Sequence, residues 1–390
     1  MDINFNYSTL RIGIIGGGQL GKIMAQKAKK MGFHVTILDP TPDCPAGQVS
    51  DQQIVGGFHD KEMLELLVNK CDVTTFELEH VDTQILKKLY DEGKRIYPSP
   101  YVMELIQNKY EQKKLLDEAG IPVPAYKDVK VPADLESFGL PVIQKSKMGG
   151  YDGKGVVLLK DKNDVENKSI KAESFIEELV DIDKELAIMI ARSIDGEIAA
   201  YPVVEMIFDE RVNICDSVIA PARISEEIEK KATEISKKCI EVLDGVGVFG
   251  VEMFLTKKGE ILVNEIAPRP HNSGHYTVES CATSQFEQII RAVTNLPLGS
   301  TKLISPSAMV NLLGEEGYAG EPFIQGIHET LEIPELSFHF YSKKETKPFR
   351  KMGHITVLDD DAQAALEKAL KAKDILKIKG SIKLWVKVNH

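Results

Sequence analysis

The chain lacks the sequence features of secreted and membrane proteins. Its 390 residues include only five cysteines, an odd number that forms no Cys-x-x-Cys pair, so no disulfide framework is indicated. No stretch of about 18 uncharged apolar residues occurs, and the N-terminus lacks the basic and apolar pattern of a signal peptide. We therefore expect a cytoplasmic protein with no membrane partner.

Positive charge is also in short supply. The 48 Lys and Arg residues are outnumbered by 59 Asp and Glu residues, which gives a formal net charge of −11. A nucleic-acid partner is therefore not expected, because that class needs a basic face to displace counterions from phosphate. Any anionic ligand must be held by a local cluster of cations. With 43% hydrophobic residues, the chain is long enough for about two or three globular domains.

A strand, a glycine run and a helix stand near the start of the chain. Residues 11–15 predict a buried strand, which Gly16-Gly17-Gly18-Gln19-Leu20-Gly21 follows. Residues 35–38 predict the second strand of a βαβ unit, and residues 73–76 predict a further strand. We therefore predict a doubly wound, mostly parallel sheet. It ends where Pro98-Ser99-Pro100 breaks the alternation.

The glycine run has the spacing of a dinucleotide-binding fingerprint. It satisfies G-x-G-x-x-G, and Asp39 stands about 20 residues further on. Taken alone, this pattern favours an NAD-dependent oxidoreductase. A tight strand-to-helix turn gives the same pattern, and its N–H groups accept any phosphate or carboxylate. NAD binding therefore stays an alternative.

Antiparallel strands predominate after residue 100. A helix is predicted over 101–119, with Gly120 at its end. A second helix is expected to begin at Ser225 and to end at Asp244. From residue 307 the sequence predicts a smaller module that mixes helices and strands. The predicted strands are 142–145, 156–159, 185–192, 198–205, 248–255 and 261–266.

A loop rich in glycine and lysine joins two of these strands. It consists of Lys145-Ser146-Lys147-Met148-Gly149-Gly150-Tyr151-Asp152-Gly153-Lys154-Gly155-Val156. Glycines let backbone N–H groups surround an anion, and lysines neutralise its charge. The loop is not a P-loop, because no Gly-Lys-Ser/Thr opens a helix. It predicts a flap that covers phosphates, and a flexible hairpin tip is the alternative.

Glu252 and Glu265 stand on neighbouring predicted strands among apolar residues. Two carboxylates in such a setting repel each other and are costly to desolvate unless a cation lies between them. Magnesium prefers oxygen ligands and is commonly shared between carboxylates and nucleotide phosphates. Because Asn264 and Arg269 adjoin the pair, we favour a Mg²⁺ site over the alternative that one carboxylate faces solvent.

A loop that two prolines stiffen follows directly. It consists of Ala267-Pro268-Arg269-Pro270-His271-Asn272-Ser273-Gly274-His275-Tyr276. Arginine binds two oxygens of a planar oxyanion, and histidine transfers a proton near neutral pH. His271 and His275 also have the spacing of zinc ligands on a helix, but the proline and glycine beside them disfavour a helix.

A basic cluster at Arg350, Lys351 and His354 stands near the C-terminus. A solvated basic turn is the simplest interpretation. On an acidic protein, such a cluster is also a candidate phosphate clamp.

Three segments together resemble the 5-(carboxyamino)imidazole ribonucleotide synthetase family of ATP-grasp enzymes. They are Gly-Gly-Gly-Gln-Leu-Gly, Gly-Tyr-Asp-Gly-Lys-Gly and Val-Asn-Glu-Ile-Ala-Pro-Arg-Pro-His-Asn-Ser-Gly-His-Tyr. The resemblance implies an N-terminal doubly wound pre-ATP-grasp domain over 1–99 and a central α+β ATP-grasp domain over 100–306. The smaller subdomain of the latter covers about 122–182. A small mixed C-terminal domain covers 307–390.

The resemblance also implies an activity in purine biosynthesis. ATP and bicarbonate would form carboxyphosphate, which carboxylates the exocyclic amine of 5-aminoimidazole ribonucleotide, with Mg²⁺ as the metal and a homodimer as the assembly. ATP would lie between the two grasp subdomains. The positions that match the nucleotide site of the family are Lys109, Lys145, Gly150, Tyr151, Asp152, Gly153, Lys154, Gly155, Val156, Glu177, Glu178, Leu179, Val180, Glu185, Asn264 and Glu265.

The other substrates and the metal have their own matching positions. Those of the acceptor ribonucleotide are Gln19, Leu20, Glu77, Tyr151, Asp152, Arg350 and Lys351, and those of bicarbonate are Arg269 and His271. Glu252 and Glu265 match the magnesium ligands. Asp152, Lys154, Arg269 and His271 are the expected catalytic residues, with Asp152 as the partner of the amine proton and Arg269 with His271 beside the departing phosphate.

Three positions depart from the family pattern. Lys109 stands where an arginine is usual, and lysine cannot make the same bidentate contact. Val156 replaces a common glutamine, and Phe208 replaces a histidine that reaches the nucleotide. The rival functions are another ATP-grasp ligase, such as a formate-dependent glycinamide ribonucleotide transformylase or a biotin carboxylase, an NAD-dependent oxidoreductase, and a binding-only descendant.

Overall fold

A four-stranded parallel sheet with flanking helices forms the N-terminal part of the protein. The structure, a computed structural model, describes residues 5–131, 133–150, 155–209 and 214–383. The sheet has the order β3-β2-β1-β4, so the predicted βαβ unit is confirmed. Its elements are β1 (Arg11–Ile15), α1 (Gln19–Lys30), β2 (His34–Asp39), β3 (Gln52–Val55), α2 (Lys61–Lys70), β4 (Val73–Phe76) and α3 (Thr83–Asp91).

Two helices, and not the single predicted one, follow this sheet. They are α4 (Pro100–Gln107) and α5 (Lys109–Glu118). Asn108 interrupts the helical path because its backbone is extended and its side chain accepts hydrogen bonds from the N–H groups of Tyr110 and Glu111. An asparagine that caps a new helix thus ends the old one, which helical periodicity alone does not reveal.

A small antiparallel sheet comes next. Its strand order is β5-β8-β6-β7, and the strands β6 and β7 are those predicted on either side of the glycine loop. Its elements are β5 (Tyr126–Val129), α6 (Ala133–Ser137), β6 (Val142–Ser146), β7 (Val156–Leu159), α7 (Lys162–Lys168) and β8 (Ser174–Glu178).

A large antiparallel sheet follows. The single strand predicted over 198–205 is wrong: the structure has two strands there, because Pro202 has no N–H group to donate to a ladder. The helix α8 has its predicted ends, with Ser225 as the N-cap and Asp244 at a left-handed C-cap. The elements are β9 (Ile182–Arg192), β10 (Ile198–Ala200), β11 (Val204–Asp209), β12 (Ile214–Ala220), α8 (Glu226–Leu243), β13 (Gly247–Thr256), β14 (Ile261–Ala267), α9 (Thr277–Ser280) and α10 (Gln285–Val293).

The C-terminal elements are β15 (Ser307–Leu313), β16 (Tyr318–Gln325), α11 (Ile327–Leu331), β17 (Leu336–Phe340), β18 (Lys351–Leu358), α12 (Ala362–Ile375) and β19 (Lys377–Lys383). Three of these strands extend the large sheet, because β15 pairs with β12, so that this sheet runs in the order β14-β13-β9-β11-β12-β15-β18-β17, with β10 beside β9. β16 and β19 form a separate antiparallel pair. Among the described helices, none combines the length and the apolar character that crossing a membrane requires.

Candidate active site

A cleft of about 530 Å³ lies where the parallel sheet, the small sheet and the large sheet meet. Most of the predicted site residues line it, although they come from distant parts of the chain. These are Gln19, Leu20, Glu77, Lys109, Lys145, Gly150, Val156, Glu177, Glu178, Leu179, Val180, Glu185, Glu252, Asn264, Glu265, Arg269, His271 and Lys351.

Two of the predicted residues lie outside this lining. Arg350 is directed away, with its guanidinium donating to the backbone oxygen of Glu345 at 2.7 Å. Gly155 closes the base of the glycine loop, where its carbonyl accepts from the Ser146 N–H group at 2.8 Å. Four further predicted residues, Tyr151, Asp152, Gly153 and Lys154, fall outside the described residues.

A cluster with a surplus of positive charge forms one wall of the cleft. We call Lys113, Glu177 and Lys145 the cationic cluster. One carboxylate oxygen of Glu177 lies 2.8 Å from the ammonium of Lys113, and the other lies 2.8 Å from that of Lys145. Burial alone would raise the pKa of Glu177, but the two ammonium groups hold it below its usual value. Two lysines share one carboxylate, so the cluster carries one uncompensated positive charge.

A cluster with more carboxyl groups than cations lies beside it. We call Glu252, Glu265 and Lys109 the acidic cluster. Glu252 and Glu265 stand directly opposite each other on β13 and β14, and Lys109 forms an ion pair with Glu265. Burial, together with the carboxylate of Glu265, raises the pKa of Glu252. The ring of His271 lies 3.4 Å from Glu252.

The side-chain amide of Asn264 separates the two clusters. Its oxygen accepts from the ammonium of Lys145 at 2.9 Å, and its nitrogen donates to Glu252 at 3.5 Å. The amide therefore presents its negative end to the cations and its positive end to the carboxylates. This orientation lets the lysine-rich cluster and the carboxyl-rich cluster lie side by side in one cleft.

The acidic cluster suits a magnesium ion whose remaining coordination positions are filled by a bound ligand or by water. Its carboxyl groups supply the oxygen donors that Mg²⁺ prefers. Burial and the neighbouring Glu265 raise the pKa of Glu252, and a bound cation would favour its ionised form. Within the described part of the chain, no three His, Cys, Asp or Glu side chains are arranged to hold a metal. Such a site has few protein ligands, as is usual where phosphates and water supply the rest.

The loop after β14 is held by buried polar groups. The amide of Gln285 accepts from the backbone N–H of His271 at 2.9 Å and donates to its carbonyl at 2.8 Å. The ring of His271 also shares a hydrogen bond of 2.9 Å with Ser273. Gly250 leaves room for this ring, because a Cβ there would lie 2.7 Å from that of His271. His271 is thus fixed on both its backbone and its ring.

The second histidine of this loop has a different environment. His275 is fully buried, where its ring stacks on Phe286 and on His354. Burial lowers its pKa well below the usual value. A shared zinc site with His271, which faces Glu252, is therefore not supported.

Arg269 lies between two carboxylates. Its guanidinium is 3.0 Å from Glu79, and its charge also acts on the buried Glu77. Burial raises the pKa of Glu77 to about 7, although Arg269 and Lys343 oppose the shift. An arginine beside a carboxyl group that ionises near neutral pH suits a site where an anion and a proton are exchanged.

The N–H groups of the glycine turn bind carboxylates of the protein itself. Gly17 donates to Asp39 at 2.8 Å, and Leu20 donates to Glu77 at 3.3 Å. A Cβ at Gly18 would lie 2.5 Å from the Glu77 carboxylate, so glycine there makes room for this side chain. Because these N–H groups are the ones that a dinucleotide pyrophosphate needs, NAD binding is not supported.

Apolar side chains line the far end of the cleft. Leu179, Phe208 and Phe254 lie there with the carboxyl group of Glu185. Burial raises the pKa of Glu185 to about 7, with Lys145 opposing the shift. Flat apolar walls beside one carboxyl group suit a base and its ribose.

Several residues that matter here were missed in the sequence. Lys113 had a signal, because it follows Lys109 by one helical turn and faces the same way. Glu79 had none, since its partner Arg269 is far away in the chain. Gln285 had none, because a glutamine on a helix carries no pattern that identifies its partner, here His271. The pocket also includes Cys215, which pairs with Phe208 across β11 and β12 at a bulge.

Family models match three consecutive parts of the chain. A ribonucleotide synthetase preATP-grasp domain matches residues 9–107, and an ATP-grasp domain matches residues 114–286. A phosphoribosylaminoimidazole carboxylase C-terminal domain matches residues 307–368. The three-part architecture that the sequence predicted is thereby confirmed.

Curated and solved relatives agree with these matches. The N5-carboxyaminoimidazole ribonucleotide synthase of Bacillus subtilis is 42% identical over 355 residues, which are 89% of this chain and 91% of that protein. The crystal structure of N5-carboxyaminoimidazole ribonucleotide synthetase from Thermotoga maritima is 60% identical, with a TM-score of 0.90 over 96% of this chain and all of the other.

A further relative was solved with its ligands. The N5-carboxyaminoimidazole synthase of Aspergillus clavatus, in complex with ADP and 5-aminoimidazole ribonucleotide, is 36% identical with a TM-score of 0.87, over 95% of this chain and 99% of the other. Other curated relatives are longer, and the chain spans only 64% to 66% of their length. By sequence and fold, the chain belongs to the N5-carboxyaminoimidazole ribonucleotide synthase family of ATP-grasp proteins.

Proposed function

We propose that this protein carboxylates the exocyclic amine of 5-aminoimidazole ribonucleotide, using ATP and bicarbonate and releasing ADP and phosphate. The observation that carries the proposal is that the cationic cluster, the acidic cluster and the Arg269–His271 loop lie in one cleft. The relative solved with ADP and 5-aminoimidazole ribonucleotide supports the use of an adenine nucleotide and of this acceptor. The pathway would be purine biosynthesis.

The cationic cluster would receive the triphosphate. Lys145 is held by Glu177 and Asn264, which leaves one of its three N–H donors for a phosphate oxygen within the described part of the chain. Lys109 would add a second cation from α5. Glu185 would bind the ribose hydroxyls, and residues 177–180 would meet the adenine. Phosphoryl transfer depends mainly on such positioning and charge neutralisation.

Glu252 and Glu265 would hold Mg²⁺, with Asn264 beside them. When bound there, the ion would neutralise charge on the transferring phosphoryl group and orient it. Lys109 forms an ion pair with Glu265 in this structure, so it would exchange part of that contact for the nucleotide.

The acceptor and bicarbonate would bind near the loop after β14. Gln19, Leu20, Glu77 and Lys351 line that part of the cleft and would surround the ribonucleotide. Arg269 and His271 would bind bicarbonate and then carboxyphosphate, which breaks down to carbon dioxide in a closed site before the weak amine captures it. The roles of Asp152 and Lys154 as catalytic residues of the flap stay predictions.

We further propose the domain limits 1–99, 100–306 and 307–390, a homodimer, and a location in the cytoplasm. The C-terminal family match, which begins at residue 307, supports the second limit. The family as a whole suggests the homodimer.

One assay tests the function and separates it from its rivals. ADP release should depend on both bicarbonate and 5-aminoimidazole ribonucleotide. Dependence on formate or biotin, or turnover of NADH, would each redirect the assignment. ADP release that does not depend on bicarbonate would refute the proposed function.

Replacing His271 with asparagine should abolish coupled turnover and leave ATP binding intact, because the ring lies at the loop and not on the cationic cluster. Calorimetry with ATP and the ADP-release assay measure the two effects. His328→Asn, at an exposed position on α11, is the matched control. Unchanged turnover in the His271 variant would remove the ring from the mechanism.

A further inference from the structure

A lysine that does not line the cleft supports one that does. The side chain of Lys113 is only 3% exposed, and its ammonium lies 3.5 Å and 3.4 Å from the carbonyl oxygens of Val263 and Asn264. A buried ammonium is costly to desolvate, and a well-packed apolar residue is often no less stable at such a place. Stability alone therefore does not account for the charge.

The partner of Lys113 connects it to the nucleotide side. The two oxygens of Glu177 are divided between Lys113 and Lys145, each at 2.8 Å. If the ammonium of Lys113 were removed, Glu177 would keep one cation and gain freedom to rotate. Lys145 would then lose the fixed carboxylate that sets the direction of its own ammonium.

The contacts of Lys113 also join two sheets across the cleft. Lys113 stands on α5 and contacts the backbone of β14, while its neighbour Gln112 exchanges two hydrogen bonds with Ile266 on the same strand, at 3.0 Å and 2.9 Å. Glu177 and Lys145 stand on β8 and β6 of the small sheet. The side chain of Asn264 closes the ring by accepting from Lys145.

We infer that Lys113 is a positioning residue for ATP: it fixes Glu177, and through Glu177 it aims Lys145 at the phosphates and holds the small sheet against β14. That the nucleotide is ATP rests on the proposed function. Lys113 itself touches no substrate, so its effect passes through a carboxylate that is already bound to the phosphate-binding lysine.

Lys113→Met tests the inference, with Lys114→Met as the matched control. Lys114 is the next residue on α5, and its side chain is 48% exposed and pairs only with Glu118 at 3.8 Å among the described residues. We expect the Lys113 variant to weaken ATP binding and raise the KM for ATP by about 10- to 100-fold, since small misplacements of binding groups have effects of this size. The KM for 5-aminoimidazole ribonucleotide and the far-UV circular dichroism should not change.

A double-mutant cycle that combines Lys113→Met with Glu177→Gln tests whether Lys113 acts on ATP binding through Glu177. If Lys113 acts through Glu177, the double variant should bind ATP about as weakly as the weaker single variant, and not as the product of both losses. Fully multiplicative losses would overturn the inference. So would a folded Lys113→Met protein with the ATP affinity of the Lys114 control.

Two measures keep the test decisive. If Lys113→Met does not fold, Lys113→Leu, which also removes the ammonium group from Glu177, is judged by the same binding criterion. Calorimetry with ATP needs no turnover. A wild-type protein that binds ATP but shows no release of ADP dependent on 5-aminoimidazole ribonucleotide would therefore refute the proposed function and still allow the role of Lys113 to be judged.

Discussion

The cationic cluster and the acidic cluster lie side by side in the cleft, and they differ in how many of their charged groups have a partner of opposite charge. In the cationic cluster, each charged group has an opposite partner at 2.8 Å, and one surplus positive charge remains for a phosphate. In the acidic cluster, two partly buried carboxyl groups share one lysine, and burial together with Glu265 raises the pKa of Glu252. If the proposed function holds, the phosphate site is assembled in advance, whereas the magnesium site would be completed by the ligand that binds there.

The largest effect is expected from making the acidic cluster neutral. Glu252→Gln removes a proposed magnesium ligand, so we expect ADP release to fall by about 100-fold. Burial and Glu265 raise the pKa of Glu252 to about 8, so at about pH 9, where this group is ionised, the melting temperature of the protein without nucleotide should stay the same or rise, because the repulsion with Glu265 is lost. Turnover at increasing Mg²⁺ and thermal unfolding measure the two effects.

Glu260→Gln, at an exposed position on the turn between β13 and β14, controls for the loss of a carboxylate. The comparison between the clusters fails if Glu252→Gln keeps the turnover and magnesium dependence of this control.

A smaller effect is expected at Glu185, a carboxyl group between the cationic cluster and the apolar end of the cleft. Burial raises its pKa from 4.5 to about 7. The unfolded chain loses this proton near pH 4.5 and the folded protein near pH 7, so the folded state binds more protons between these values. The free energy of unfolding therefore falls as the pH rises through this window.

Glu185→Gln should remove this loss. Relative to the wild type, we expect a gain of about 3 kcal/mol at pH 8 and none at pH 4, together with weaker ATP binding. Denaturant unfolding at the two pH values measures the gain. An equal effect at both values would show that the carboxyl group is not held in its neutral form by burial.

The smallest effect is expected at Phe208, which would show whether the charge clusters alone set ATP affinity. Phe208 lines the cleft and packs against the core. Phe208→His restores the residue usual in the family and adds a hydrogen bond of about 1 kcal/mol at the expense of apolar contact. We expect ATP to bind about threefold more tightly by calorimetry. Weaker binding would mean that the apolar contact matters more.

Local sequence signals predicted much of the fold. Ser225 and Asp244 marked both ends of α8, since a cap depends on neighbours within one helical turn. The glycine loop and its two strands were found for a similar reason. The errors at Asn108 and Pro202 were also local, because one polar cap and one missing N–H group outweighed a longer pattern of apolar residues.

Site residues could be predicted from the sequence where they belong to a family motif. Residues outside these motifs that contact the site only after folding could not. Glu252, Glu265 and His271 stood out from their motifs, and the structure brings them together. Gln285 did not, although it binds both backbone groups of His271. A buried glutamine on a helix has no pattern that names its partner.

The sequence by itself determined the βαβ start, the antiparallel hairpins and the two strands beside the glycine loop, because each depends on residues close together in the chain. It also supplied the candidate residues for phosphate, metal and oxyanion binding. Only the tertiary structure decided that Glu177 lies between Lys113 and Lys145 and that Asn264 separates the clusters. The physical reason is that the strength of a charge interaction depends on distance and burial, and three separate segments must pack before either is set.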